Sequence, residues 1–121
     1  MLYTSYYGNH RKFKDMFRVS ISRTAPTNSF DLQLTKLAPD AELLQKYKSD
    51  SITIEEYTQA YHRQLTKHED SGYLAQVVKA LLEVPNDVVL LCYEKKGDFC
   101  HRHLLADWLN SHHGTNIQEL E

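Results

Sequence analysis

A chain of 121 residues and 14.1 kDa has the length of one domain, and a domain of that size buries enough surface to fold without a metal or disulfide staple. Its net charge of -2 and pI near 6.4 lack the basic excess that duplex nucleic-acid binding by counterion release requires. A hydrophobic fraction of 41% and a charged fraction of 25% exclude a disordered chain and leave 8 Tyr and 7 His as the only excesses.

Leu2-Tyr3-Thr4-Ser5-Tyr6 is aromatic and β-branched and is stopped by Gly8-Asn9, the pattern of a strand entering a turn. Residues 11 to 16 suit a helical turn or two, and residues 17 to 22 alternate apolar with polar, as in a half-exposed strand. Residues 24 to 35, with Pro26 and Asn28, show no period and predict a surface loop. After Pro39, Asp40 is placed as the N-cap of a helix carrying Leu43, Leu44 and Tyr47 on one side. Thr53-Ile54-Glu55-Glu56 is a capping box, with Ile52 and Tyr57 set as a hydrophobic staple, and it opens a helix whose buried stripe is Tyr57, Tyr61 and Leu65. A further helix from near Ser71 puts Leu74, Val77, Val78, Leu81 and Leu82 on one face and should pack flat on a sheet.

The run Val88-Val89-Leu90-Leu91-Cys92-Tyr93, bounded by Pro85 and Gly97, reads as a central strand covered on both faces. It is far shorter than the ~20 apolar residues that span a bilayer, and the start of the chain lacks a signal core, so a cytoplasmic protein with no membrane partner is expected. In a reducing cytosol Cys92 and Cys100 are expected as thiols. Asp98 is placed to cap a last helix with the apolar face Leu104, Leu105, Trp108 and Leu109, Gly114 stops it, and residues 116 to 120 suit a short strand. Strands alternating with helices predict a small single α/β domain over residues 1–121, with a mainly parallel sheet of three to four strands flanked by helices. Strand order has no sequence signature.

Ligands of open parallel sheets sit beyond the carboxyl ends of the strands. Tyr6 to Asn9, Ser22-Arg23-Thr24 and Cys92 to Arg102 should meet there. In the last segment Cys100-His101-Arg102-His103 is read as a helical first turn, where unpaired N–H groups and the positive helix end favour a thiolate. On this reading the Cys100 thiolate is favoured over that of Cys92, and Arg102 holds a phosphate or carboxylate. Two alternatives stand beside it: the cysteines are inert apolar fillers, or the strand end and helix start lie close enough for a disulfide. Zinc held by Cys92, Cys100, His101 and His103 meets a geometric objection, because at ~100° per residue His101 and His103 point about 200° apart. No metal ligand is therefore assigned, and His101 is expected to be buried and hydrogen-bonded. The plainer partner for Arg102 is Asp98 or Glu94. No Cys-x5-Arg phosphatase loop and no G-x-G-x-x-G turn occurs, so no cofactor is expected. Tyr3, Tyr6, Tyr7 and Tyr93, on or just past strands, offer flat walls for stacking.

The stretch Leu90-Leu91-Cys92-Tyr93-Glu94-Lys95 followed by residues 97 to 109, with Cys100-His101-Arg102 at its centre, resembles the domain of unknown function 488 family. Residues 2 to 9, 19 to 23 and 36 to 39 extend the resemblance through nearly the whole chain. It implies a compact α/β domain and brings no established reaction, substrate or cofactor. It also implies a set of polar positions, here Tyr3, Ser5, Asn9, Arg23, Lys36, Cys92, Glu94, Cys100, His101 and Arg102. Ser5 and Tyr6 depart from the commoner family opening Tyr-Thr-Ile-Gly-His-Ser, so no role of that histidine transfers to this chain.

These residues support two classes of function. In a binding reading, Tyr3, Ser5, Asn9, Arg23, Lys36 and Arg102 hold an anionic, nucleotide-like small molecule against tyrosine rings. In an enzyme reading, Cys100 or Cys92 attacks an electrophile, His101 or Glu94 handles the proton and Arg102 steadies negative charge. A third reading makes the polar rim a contact surface for an unidentified protein partner. Binding is preferred because no complete set of nucleophile, base and orienting group is readable, and whether the chain is an enzyme stays open.

Overall fold

A computed structural model describes residues 1–94 and 99–120. Its strands are β1 (Leu2–Tyr6), β2 (Phe17–Ser20), β3 (Leu32–Gln33), β4 (Val88–Cys92) and β5 (Gln118–Glu119), in the order β3-β2-β4-β1-β5. Every neighbouring pair is parallel. β4 lies in the middle with all its residues buried, which is why it reads as an unbroken apolar run instead of an alternation. Its register sets Cys92 opposite Tyr6 of β1 and Leu91 opposite Ser20 of β2.

Four helices follow the same logic: α1 (Ala41–Lys48), α2 (Ile54–Asp70), α3 (Tyr73–Leu82) and α4 (His101–His113). Their apolar stripes pack together on one face of the sheet, where Tyr61, Leu65, Leu74 and Leu105 meet Val19, Val88, Leu90 and Cys92. The other face, Val89 and Leu91, is covered by Tyr7 and Phe13 with Tyr3, Met16 and Ala25, which border a 3₁₀ segment at Tyr7–Lys12. The layers are therefore two, with all four helices on one side.

Local signals set several element ends. Thr53 Oγ1 accepts from Glu56 N at 3.0 Å and Glu56 Oε1 accepts from Thr53 N at 3.0 Å, so the capping box closes in both directions. Gly114 ends α4 at φ 67°, a left-handed conformation that costs a residue with a Cβ more than it costs glycine.

The sheet has five strands where three to four were expected. The extra strand, β3, lies in the expected loop and is recruited by tertiary contacts: Leu34 N donates to Ser20 O at 2.8 Å, and Arg18 reaches Asp31 through Nε at 3.2 Å and Nη2 at 3.1 Å. α4 starts at His101 with Cys100 as its N-cap in an extended conformation, so Cys100 stands before the first turn. The expected cap, Asp98, lies outside the described residues. Among the described residues, no helix is long and apolar enough to cross a membrane.

Candidate functional site

β2 and β4 end side by side at the carboxyl edge of the sheet, and Ile21 N extends the ladder by donating to Leu91 O at 3.0 Å. Beyond that point Ser22, Arg23 and Thr24 leave one strand, and Tyr93 and Glu94 leave the other. With His101 at the start of α4, and Pro39, Leu44 and Lys48 from in and before α1, they line a cleft of about 480 Å³, open solvent included. Its position is the one that open parallel sheets use for ligands.

A buried hydroxyl chain supports one wall. Ser22 Oγ donates to Thr24 O at 2.5 Å, so Tyr7 Oη donates to Ser22 Oγ at 2.6 Å and accepts from Ser20 Oγ at 2.7 Å. Burial pushes the Tyr7 phenol up despite these two serine contacts, so it stays protonated and holds this direction of donation. The Tyr7 ring meets the Tyr93 ring edge-on, with centroids 4.9 Å apart, and so packs against one of the residues that line the cleft.

His101 forms part of the floor. Its Nε2 lies 2.6 Å from Ile21 O, a group that only accepts, so Nε2 carries the proton. Burial pushes its pKa down to about 4, and the nearby Arg102 charge acts in the same direction. The ring is therefore neutral at pH 7, with Nδ1 unprotonated and 3.7 Å from Cys100 Sγ.

The cysteines depart from the expected pair of thiols: Cys92 and Cys100 are joined as a disulfide, with Cα atoms 7.7 Å apart. The close approach of the β4 end to the α4 start brings the sulfurs together, the alternative left open by the eight-residue offset. Their surroundings also reverse the expected polarity. Arg102 Nη1 donates to Cys92 Sγ at 3.1 Å, while Cys100 Sγ lies 3.2 Å from Glu94 Oε2. The positive charge thus faces Cys92 and the carboxylate faces Cys100. Both residues are buried, at 0% and 2% exposure, beneath the groups that line the cleft.

Arg102 is engaged by protein groups in this arrangement. It is completely buried, and its guanidinium holds Glu119 through Nε to Oε1 at 3.1 Å and Nη2 to Oε2 at 2.8 Å. Nη1 also donates to Glu94 O at 2.6 Å. Glu119 accepts a further bond from Thr4 Oγ1 at 2.6 Å. Burial alone would raise the Glu119 pKa, but the bonds from Arg102 and Thr4 outweigh it and hold the carboxyl below its ordinary range. Among the described residues the carboxylate partner is thus Glu119, and Glu94 contributes only its carbonyl; the other expected partner, Asp98, lies outside the described residues.

The remaining expected ligand residues are dispersed. Ser5 is buried and accepts from Asn9 Nδ2 at 3.1 Å. Asn9 also approaches Leu120 O, and Tyr3 packs among Val89 and Leu91 on the face away from the helices. Lys36 lies over the Tyr73 ring, 4.8 Å from its centroid, beside α3. The structure therefore brings Arg23, Glu94, His101, Cys92 and Cys100 together, and leaves Tyr3, Ser5, Asn9 and Lys36 elsewhere. Lys48 and Glu119 were missed. Lys48 reads as an ordinary solvated residue at the end of a helix, and a glutamate in a two-residue edge strand has no pattern that marks it.

One subset has metal-ligand chemistry: the donor atoms of Cys92, Cys100 and His101 all lie within 4.8 Å of one another. His103 is not among them, as the helical angle required.

The model of the family DUF488-N3a, described as the Active DUF488-N3 subclade, matches residues 2–113. No curated protein and no solved structure gives a match.

Proposed function

We propose, for a chain that belongs to the DUF488 family, that the cleft beyond β2 and β4 binds a small anionic molecule of nucleotide-like chemistry. The observation that carries this reading is the convergence of two cations from separate segments, Arg23 and Lys48, on one cleft whose wall holds Tyr93. Arg23 offers a planar fork of donors to a phosphate, and Lys48 adds a point charge. Ser22 and Thr24 supply polar edges, and the Tyr93 ring, 48% exposed, offers a face for a flat group. The reading places the protein in the cytoplasm, with no cofactor required.

Its test is a thermal-shift comparison of wild type, Arg23→Ala and Lys48→Ala with adenosine diphosphate, adenosine alone and pyrophosphate. A ligand that binds only the folded state raises the melting temperature by mass action. The expected result is a shift with the diphosphate that both variants reduce. No shift with any of the three compounds at millimolar concentration would defeat the reading.

A second reading, thiol chemistry, is favoured by the setting of Cys100 beside Glu94 Oε2 and His101 Nδ1, and by the subclade's description as active. Once reduced, Cys100 would have two proton acceptors within reach, and a substrate would enter past Glu94 and His101. Brief iodoacetamide treatment of the reduced protein followed by peptide mass analysis tests it. Preferential labelling of Cys100 supports the reading, and equal inertness of both cysteines refutes it.

A further inference from the structure

We infer that the dithiol form of Cys92 and Cys100, together with His101, is a zinc-binding site. Three observations carry the inference. The two sulfurs and a histidine nitrogen lie within 4.8 Å of one another, all on buried residues. The His101 Nδ1 to Cys100 Sγ separation is 3.7 Å, near the ~3.5 Å edge of a tetrahedron built from zinc–sulfur bonds of ~2.3 Å and zinc–nitrogen bonds of ~2.0 Å. His101 is oriented for the task, because Nε2–H is anchored on Ile21 O at 2.6 Å and Nδ1 is turned toward the sulfurs. Zinc-bound histidines carry this kind of outer hydrogen bond, which sets the tautomer and the ring plane.

The backbone and the second layer fit the same conclusion. Cα atoms 7.7 Å apart exceed the ~4.4–6.8 Å common for disulfides and leave room for an ion between separated sulfurs. The three donors leave the fourth tetrahedral position to a water or an exogenous ligand, and Glu94 Oε2 stands beside the site, 3.2 Å from Cys100 Sγ. Arg102 Nη1, 3.1 Å from Cys92 Sγ, offsets part of the negative charge that two thiolates bring. His103 is not needed, so the helical-angle objection to a His101–His103 pair does not apply.

Disulfide and metal site are two states of the same residues. A dithiol reductant transfers two electrons and two protons to the disulfide and leaves two thiols. Zinc binding then forms two zinc–thiolate bonds and releases those two protons. Oxidation and metal occupancy therefore exclude each other.

The experiment titrates cobalt(II), a spectroscopic stand-in for zinc, into the full chain after reduction and anaerobic removal of reductant. The expected result is one cobalt per chain, with thiolate-to-cobalt charge transfer and tetrahedral visible bands, displaced by zinc. The disulfide form should give neither feature. His101→Gln should weaken binding about tenfold or more, whereas Arg23→Ala should not, which separates this site from the anion-binding reading. Zinc should also protect both thiols of the reduced wild type from iodoacetamide, a readout that needs no variant to fold. A cobalt spectrum unchanged from the aqueous ion, or equal alkylation with and without zinc, overturns the inference.

Discussion

Glu119→Gln isolates the buried clamp at the carboxyl edge of the sheet. Arg102 is fully buried, and among the described residues its guanidinium donates four hydrogen bonds, two of them to Glu119. Removing one partner of a buried ion pair costs about 3–5 kcal/mol, because the other charge is left uncompensated. The Glu119 side chain is 18% exposed, which sets the expectation at the lower end, and glutamine keeps an acceptor that restores about 1 kcal/mol. The net loss should be about 2–3 kcal/mol, or a fall in melting temperature on the order of 10 °C. Urea denaturation at pH 7 measures it, with Arg102→Met and the double variant completing a cycle. The double variant should be less destabilised than the sum of the single ones, by about 1–2 kcal/mol. Because folding holds the Glu119 carboxyl below its ordinary pKa, its contribution is present above about pH 4.5 and is lost as pH falls through the lower folded value. The gap between wild type and Glu119→Gln should therefore narrow on acidification. A Glu119→Gln protein within about 0.5 kcal/mol of wild type, with no coupling to Arg102, would refute the clamp and return Arg102 to the role of a free anion binder.

Thr53→Ala should cost about 1 kcal/mol in urea denaturation by opening the capping box, and Thr53→Ser should restore most of it. Tyr61→Phe removes a buried hydroxyl that donates to Leu37 O at 2.6 Å, so a loss of about 1–2 kcal/mol is expected, with a neutral result ruling out that bond as a stabiliser. At Glu69 burial opposes ionisation, yet bonds from Trp108 at 2.9 Å and His113 at 2.9 Å hold its pKa down. Glu69→Gln should accordingly cost about 1 kcal/mol at neutral pH, and the deficit should disappear below the ordinary glutamate range, as followed by denaturation at graded pH.

Features with a local cause were legible in the sequence. The capping box at Thr53 and Glu56 needs only one turn of backbone, and the stripe through Leu74, Val78 and Leu81 reports directly which side of α3 is buried. The run in β4 likewise announced a strand covered on both faces, and Gly114 marked a left-handed stop. Periodicity says that a side is buried, however, and not what lies against it. That is why β3 was invisible: its pairing rests on the β2 backbone and on an Arg18–Asp31 contact, neither of which leaves a pattern within residues 24 to 35. The same limit governed the site. Its expected place beyond the strand ends put Arg102 near the sheet, but only the tertiary structure decided that Glu119, paired through β5 and β1, takes its charge and that its remaining donor faces Cys92 and not Cys100. Pleat alternation turns Ser5 away from the helix-covered face, and the placement of α1 brings Lys48 to the cleft that Arg23 also lines, because contacts between distant segments are settled by packing, which a local stretch of residues does not encode.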